Sequence, residues 1–463
     1  MKIDKLKIIT GLLLLVLFIT SSCNKLIDVG LPADSLDKDK VFSDEGTAMS
    51  ALNGLYLQLM TSGMAFGNSQ VSITAGLSSD ELSLATANAV YSEFLSNNLS
   101  VSNTSVASLW SNPYSRIYQC NAIIENTKNS TSLSNDLKNR LIGESEFMRG
   151  FFYFYLVQMF GDVPLVVSTD YTETASVSRT SMDSVYKQII VDLKDASLLL
   201  TTDLSTGKTR PSKWSAEALL SRVYLYTNDW TNAALLSNDV MESNQYQILT
   251  DPTKVFLANS NEAILQFAPV DGNGYTWEGF YFIPKSTAAP SYPLTDTLLH
   301  SFENGDARKL NWIGSKTVNG KSYNYSYKYK VGSGVGTPTE YYMVLRYAEQ
   351  VLIHAEALAH TNDLQNALKD VDKLRLRAGL PLYSNDGITR NQSDVLLLIE
   401  KERQHELFCE WGHRWFDLNR TSRTAAVLNP IKPGFKSTAT LFPVPYTQIQ
   451  RNYRLTQNLG YQN

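Results

Sequence analysis

The sharpest chemical signals lie between residues 402 and 417. His405 and Glu406 begin like the helix of a zinc protease, in which two histidines one turn apart hold the metal and the glutamate acts as base. Cys409 stands where the second histidine belongs, so the two-imidazole face is missing. Glu402, Glu406 and Glu410 recur every four residues, which puts three carboxylates on one helical face. A glycosidase needs two carboxyl groups astride the scissile bond, roughly 5–9 Å apart across the substrate. Neighbours one turn apart point the same way from one surface, and Arg403, Arg414 and Arg420 are close enough in sequence to neutralise them. The spacing predicts a structural ion-pair network. Gly332, Gly334 and Gly336 imitate a phosphate loop, but the Lys-Ser/Thr ending is absent and Thr337-Pro338 follow, which predicts a flexible hinge. The chain has no G-x-S-x-G elbow, and its five histidines are scattered singly. No catalytic residue, cofactor or metal site is predicted. Loop carboxylates such as Asp271 and Asp306 could meet calcium, yet without the spacing of a calcium loop.

Helices must position these residues. Apolar residues recur at three- and four-residue steps over 213–243 and again over 341–377, each time as two helices around a short polar turn. Asn228-Asp229 breaks the first pair; Thr361-Asn362-Asp363 turns and caps the second, which Gly379 and Pro381 end. Both pairs resemble tetratricopeptide hairpins, although they are not contiguous. Residues 108–127 and 136–160 predict a further pair, and 46–60 and 183–200 further helices. The stretch 250–339 differs: Gly and Pro punctuate it, aromatics crowd it, and Tyr323, Tyr325, Tyr327 and Tyr329 alternate as in a short strand with one aromatic face. Residues 61–106, rich in Ser, Asn, Thr and Gly, read as a second loop-heavy insertion. The predicted fold is mainly α, a scaffold of tetratricopeptide-like hairpins with a loop-rich irregular region and little β.

Lys2, Lys5 and Lys7 precede an apolar stretch of roughly 12 residues, the length of a signal-peptide core and short of the ~20 needed to span a bilayer. Thr20-Ser21-Ser22 then lead into Cys23, which predicts cleavage after residue 22 and a lipid on the Cys23 sulfur; the alternative is an ordinary cleaved signal with an incidental cysteine. The lipid would be the membrane anchor. The net charge of −4 argues against a nucleic-acid partner. Twenty-five Tyr and seven Trp suit capture of sugar or peptide. Cys120 and Cys409, far apart in sequence, read as packed thiols, with a disulfide the other option.

Several strings agree with one family. The run from Glu402-Arg403-Gln404-His405-Glu406-Leu407 through Trp411-Gly412-His413-Arg414-Trp415-Phe416-Asp417-Leu418-Asn419-Arg420 resembles the C-terminal signature of SusD/RagB outer-membrane lipoproteins. Leu441-Phe442-Pro443-Val444-Pro445 and Leu455 to Tyr461 are similar to that family's closing segment. Gly143-Glu144, Phe147-Met148-Arg149, Phe160-Gly161-Asp162-Val163-Pro164 and Leu345-Arg346-Tyr347-Ala348-Glu349 resemble its helical core. The resemblance implies one domain over 23–463, with a helical part carrying the loop-rich ligand face over about 23–340 and a second helical part over about 341–463. It also implies an outward-facing, lipid-anchored protein of the outer membrane. Its partner would be a TonB-dependent SusC-like transporter that it covers as a lid, and its ligand a glycan or, in some members, a peptide.

The matched strings contain no ligand contacts, so the site is argued physically. Sugars offer C–H faces to aromatic rings and hydroxyls to amides and carboxylates. Trp277, Tyr275, Tyr281 and Trp312 are the expected stacking platforms, with Asp80, Asn88 and Tyr91 supplied by the first loop region. Trp277 leads, because Gly274 and Gly279 flank it and leave little local core to bury it. A surface glycoside hydrolase and a tetratricopeptide adaptor without a nutrient ligand are the competing classes.

Overall fold

The computed structural model describes residues 38–204, 207–270 and 272–462. The predicted signal segment, Cys23 and Asp271 lie outside the described residues. Helices dominate. After α1 (Glu45–Met60) and a buried π-helical turn come α2 (Val71–Ser78) and α3 (Ala89–Leu95). Four long helices follow: α4 (Thr104–Asn129), α5 (Asn135–Phe160), α6 (Met182–Leu199) and α7 (Lys213–Tyr226), each packed on the next. From Gly143 onward α5 is buried on nearly every face, and the rings of Phe147, Phe151, Phe152, Phe154 and Tyr155 make it the central rod. A helix apolar all round belongs in the middle of a core.

The two predicted hairpins are α7 with α8 (Trp230–Glu242), and α10 (Tyr347–His360) with α11 (Leu364–Ala378). They share a turn tripeptide. Asn228 and Asn362 take φ of +60° and +67°, and Asp229 and Asp363 accept hydrogen bonds from the amides of Asn232 and Asn366. Asn tolerates this left-handed conformation and Asp caps the helix behind it. Although about a hundred residues separate the hairpins, α8 packs directly against α10, so they stack as neighbours. Between them the chain makes the short helix α9 (Trp277–Phe282) and strands β1 (Ala263–Phe267), β2 (Ile313–Val318), β3 (Lys321–Ser326) and β4 (Tyr342–Arg346). β1 pairs antiparallel with β4, and β2 with β3. Helices α12 (Gln392–Leu407) and α13 (His413–Arg420) close the C-terminal part.

Three expectations are corrected. Residues 66–78 are not a loop: they form the π turn and α2, and burial continues to Leu82. Their hydroxyls bond backward along the helix, Thr74 to the Gln70 carbonyl at 2.7 Å and Ser78 to that of Thr74 at 2.9 Å, so small polar side chains enter the core already paired. The glycine string is not a free hinge either, since the Gly274 amide bonds Gly334 and the Gly336 amide bonds Gly272. The alternating tyrosines share a strand only to Ser326; Tyr329 is buried and accepts from the Met343 amide.

The ion-pair network is present, with different partners from those sequence proximity suggested. Glu406 accepts from Arg346 at 2.6 Å, Arg308 at 3.2 Å and Arg377. Glu402 meets Arg308; Glu410 meets Arg346 and Lys328. Arg403, Arg414 and Arg420 bind Asp417, Asp80 and Glu356 instead. Glu410 is not on the helix of Glu402 and Glu406. α12 ends at Leu407, and Cys409, Trp411 and Gly412 all take positive φ to fold the chain back. Burial alone would raise the Glu406 pKa, but Arg377, Arg346 and Arg308 outweigh it and hold the carboxyl well below its usual value. His405 stacks on Phe302 at 4.4 Å, and burial together with Arg308 pulls its pKa to about 2. Cys120 and Cys409 are free, buried thiols.

Candidate functional site

Thr276 caps α9 by accepting from the Gly279 amide at 3.1 Å. In this six-residue helix Trp277, Phe280 and Tyr281 share one face, at the three- and four-residue spacing that makes helical neighbours. They are half-buried, whereas Glu278, Gly279 and Phe282 face the core. Gly279 permits this seating: a Cβ there would lie 2.3 Å from the Val331 carbonyl oxygen.

The exposed edges make one aromatic patch. Tyr275 stacks on Phe280 at 5.4 Å and meets Trp277 edge-on at 5.7 Å. Trp277 lies nearly parallel to Tyr281 at 6.1 Å, and its Nε1 donates to the Met60 carbonyl at 2.9 Å. Anchored by that bond at the C-terminus of α1, the indole presents a fixed surface. Tyr91 meets Tyr292 edge-on at 5.7 Å, and Tyr292 in turn contacts Phe282. Lys285 holds its ammonium 3.4 Å above Phe280. Burial raises the Tyr281 pKa, helped by Tyr275, and burial likewise raises that of Tyr91. These phenols are neutral hydroxyls at pH 7, able to donate and to accept.

The structure therefore brings together Tyr275, Trp277, Tyr281 and Tyr91. Asn88 stands beside them as the exposed cap of α3, with its carboxamide oxygen accepting from the Val90 and Tyr91 amides. Two expected residues are not there. Trp312 is fully buried, donates to the Pro252 carbonyl at 2.9 Å and lies under Lys328 and Arg377. Asp80 is buried in a bidentate pair with Arg414, both bonds 2.8 Å. Neither can touch a ligand at the surface. Asp306 is likewise committed, to Arg308. Phe280, Tyr292 and Lys285 were missed. The step from Trp277 to Phe280 and Tyr281 was the signal for Phe280; nothing local marks Tyr292, which reaches Tyr91 only through the fold.

Among the described residues no group of three or more His, Cys, Asp or Glu side chains could hold a metal ion, and no helix is long and apolar enough to cross a membrane. Glu402 and Glu406 are buried and occupied by arginines.

Residues 48–225 match a family model described as SusD-like, starch-binding and associating with the outer membrane, and residues 275–461 match the SusD family model. The SusD-like protein P2 of Formosa agariphila is 26% identical over 491 residues, covering 92% of this chain and 94% of that one. A laminarin-binding SusD-like protein superposes with a TM-score of 0.77 at 25% identity, covering 90% of this chain and 100% of its own. A SusD superfamily protein from Bacteroides vulgatus superposes with a TM-score of 0.80 at 21% identity, covering 90% and 99%.

Proposed function

The chain belongs to the SusD/RagB family, and we propose on that ground that it captures an oligosaccharide at the aromatic patch and catalyses nothing. The observation that carries this reading is the α9 face, where Trp277, Phe280 and Tyr281 project together beside Tyr275 on a helix locked from below. Aromatic planes take the C–H faces of sugar rings, and the surrounding phenols and Asn88 take the hydroxyls. The laminarin-binding structural neighbour supports a glucan as the first polymer to try.

In the same reading the mature chain begins at Cys23, carries lipid there, faces outward from the outer membrane and passes its ligand to a SusC-like TonB-dependent transporter. Blocked acylation in Cys23→Ser and loss of the wild-type protein on protease shaving of intact cells are the respective expected results; a released variant supports the anchor, and protection of the wild type counts against outward display.

The test of capture is affinity electrophoresis of the protein against soluble polysaccharides, with Trp277→Ala beside the wild type. Retardation by one polymer class, lost in the variant with its circular dichroism intact, is the expected result. Retardation that survives the substitution would move the site elsewhere. Absence of retardation by every glycan, with peptides bound, would convert the reading to peptide capture, and new reducing ends in the polymer would overturn the non-catalytic assignment.

A further inference from the structure

A separate cleft of about 440 Å³ opens where α8, α10, α12 and α13 meet. Its lining and the aromatic patch have no residue in common. One wall is a stacked pair, Trp230 on His360, with ring centres 3.7 Å apart and planes within 7°. Burial lowers the His360 pKa, so this imidazole is neutral at pH 7. Leu396 and Leu397 supply an apolar wall, Leu397 being 47% exposed at the rim.

The charged part of the lining is self-matched, with one exception. Asp417 accepts from the Nε atoms of Arg403 and Arg420, each at 2.8 Å, and Glu356 takes both Nη atoms of Arg420 at 2.6 and 2.8 Å. Glu400 accepts from Arg414 and Arg423. Arg403, whose side chain is 2% exposed, leaves both Nη1 and Nη2 without a hydrogen-bond partner. A buried guanidinium with two unpaired nitrogens is costly, and native proteins supply such groups with an acceptor. An anion would satisfy them but would also face three carboxylates. A hydroxyl accepts from Arg403 and donates to a carboxylate, so it meets both kinds of group.

We infer that this cleft is a second binding site, for one or two rings of a neutral sugar, with hydroxyls at Arg403 and C–H faces against Trp230 and the leucines. The volume lies within the range of small-ligand sites, roughly 300–1,000 Å³. The choice of sugar rests on the carbohydrate reading of the aromatic patch, so the experiment reads the two sites apart. The full chain carrying Trp277→Ala is titrated by calorimetry and saturation-transfer NMR with glucose, galactose, mannose, xylose, cellobiose and laminaribiose. At least one should bind in the millimolar range. Leu397→Trp, a rim substitution that plugs the cleft without entering the core, should weaken it about tenfold or more at unchanged melting temperature. Arg403→Lys, which keeps a cation beside Asp417 but removes the two Nη donors, should act in the same direction.

Binding of none of these sugars, or binding that Leu397→Trp leaves intact, overturns the cleft. Loss of all small-sugar binding through Trp277→Ala alone also overturns it and leaves the patch as the single site. Wild-type protein that no polymer retards, but that binds a small sugar in a Leu397-dependent way, upholds the cleft and refutes the patch.

Discussion

Glu406→Gln separates a structural carboxylate from a catalytic one. The Glu406 side chain is fully buried and accepts from three arginines, 308, 346 and 377. Glutamine preserves the shape but removes the charge and turns one acceptor into an amide donor facing a guanidinium. Breaking a buried, hydrogen-bonded ion pair from one side costs about 3–5 kcal/mol, because the partner is left desolvated and uncompensated. At roughly 2 °C per kcal/mol for a chain of this size, that is a fall in Tm of about 6–10 °C. Differential scanning calorimetry measures it, with Asp251→Asn as the control. Asp251 caps a short turn by accepting from the Thr253 amide, a role asparagine keeps, and its ion pair with the exposed Lys254 spans 3.9 Å, so loss of the charge should leave Tm unchanged. Below its transition the Glu406→Gln protein should be retarded by polysaccharide as the wild type is, since the carboxylate lies in the ionic core and not in the patch. A Tm shift under about 2 °C would refute the reasoning, for the arginines would then not depend on this charge. Loss of ligand binding at full stability would refute it from the other side.

Glu278, on the buried face of the aromatic helix, accepts from the Tyr342 hydroxyl at 3.1 Å, and burial raises its pKa to about 8. The folded state therefore holds its proton more tightly than the unfolded chain, so its contribution is fully present below about pH 4.5 and is lost as pH rises to about 8. Urea unfolding of wild type against Glu278→Gln should show the difference in stability falling by a few kcal/mol over that window and flat above it; a constant difference would place the proton elsewhere. Gly279→Ala drives a methyl into the Val331 carbonyl and should cost about 1–3 kcal/mol while weakening polymer retardation, both readable on one preparation by urea titration and electrophoresis. Burial pushes the Cys120 thiol up to about 12 and that of Cys409 well above its ordinary value, so neither should react with Ellman's reagent until the protein is unfolded, when both should. Rapid reaction of the native protein would contradict the packing.

The helical scaffold was legible because its signals are local. The 3.6-residue period, the Asn-Asp turns and Gly379 each state their role within a few residues. The burial of α2 was not legible, since Ser72, Thr74 and Ser78 look like loop residues until the hydroxyls of Thr74 and Ser78 are seen to bond the preceding turn and that of Ser72 to accept from the Trp411 amide. The site divides along the same line. Trp277 sits between glycines on a short amphipathic helix, and both features are written in its neighbours. Trp312 has an equally aromatic, glycine-bearing neighbourhood, and only the Pro252 carbonyl, sixty residues earlier, decides that it is core. Asp80 resembles a loop carboxylate until Arg414 arrives from the far end of the chain. Arginine partners follow the same pattern: proximity suggested Arg403, Arg414 and Arg420 for the glutamates, whereas the fold delivers Arg308, Arg346 and Arg377.

The surroundings of α2 bear on the order of events during synthesis. Ser72 accepts from the Trp411 amide, Asp80 is neutralised by Arg414, and the Lys432 ammonium closes the helix by bonding the Leu77 and Ser78 carbonyls at 2.6 and 2.8 Å. Every one of these contacts spans more than three hundred residues. An early segment rich in serine and threonine cannot be buried until nearly the whole polypeptide has been made, so the N-terminal third cannot complete its native core ahead of the rest. Contacts of such separation form late and slowly. A nascent chain of this design stays open through most of its synthesis, and it locks only when its last sixty residues arrive.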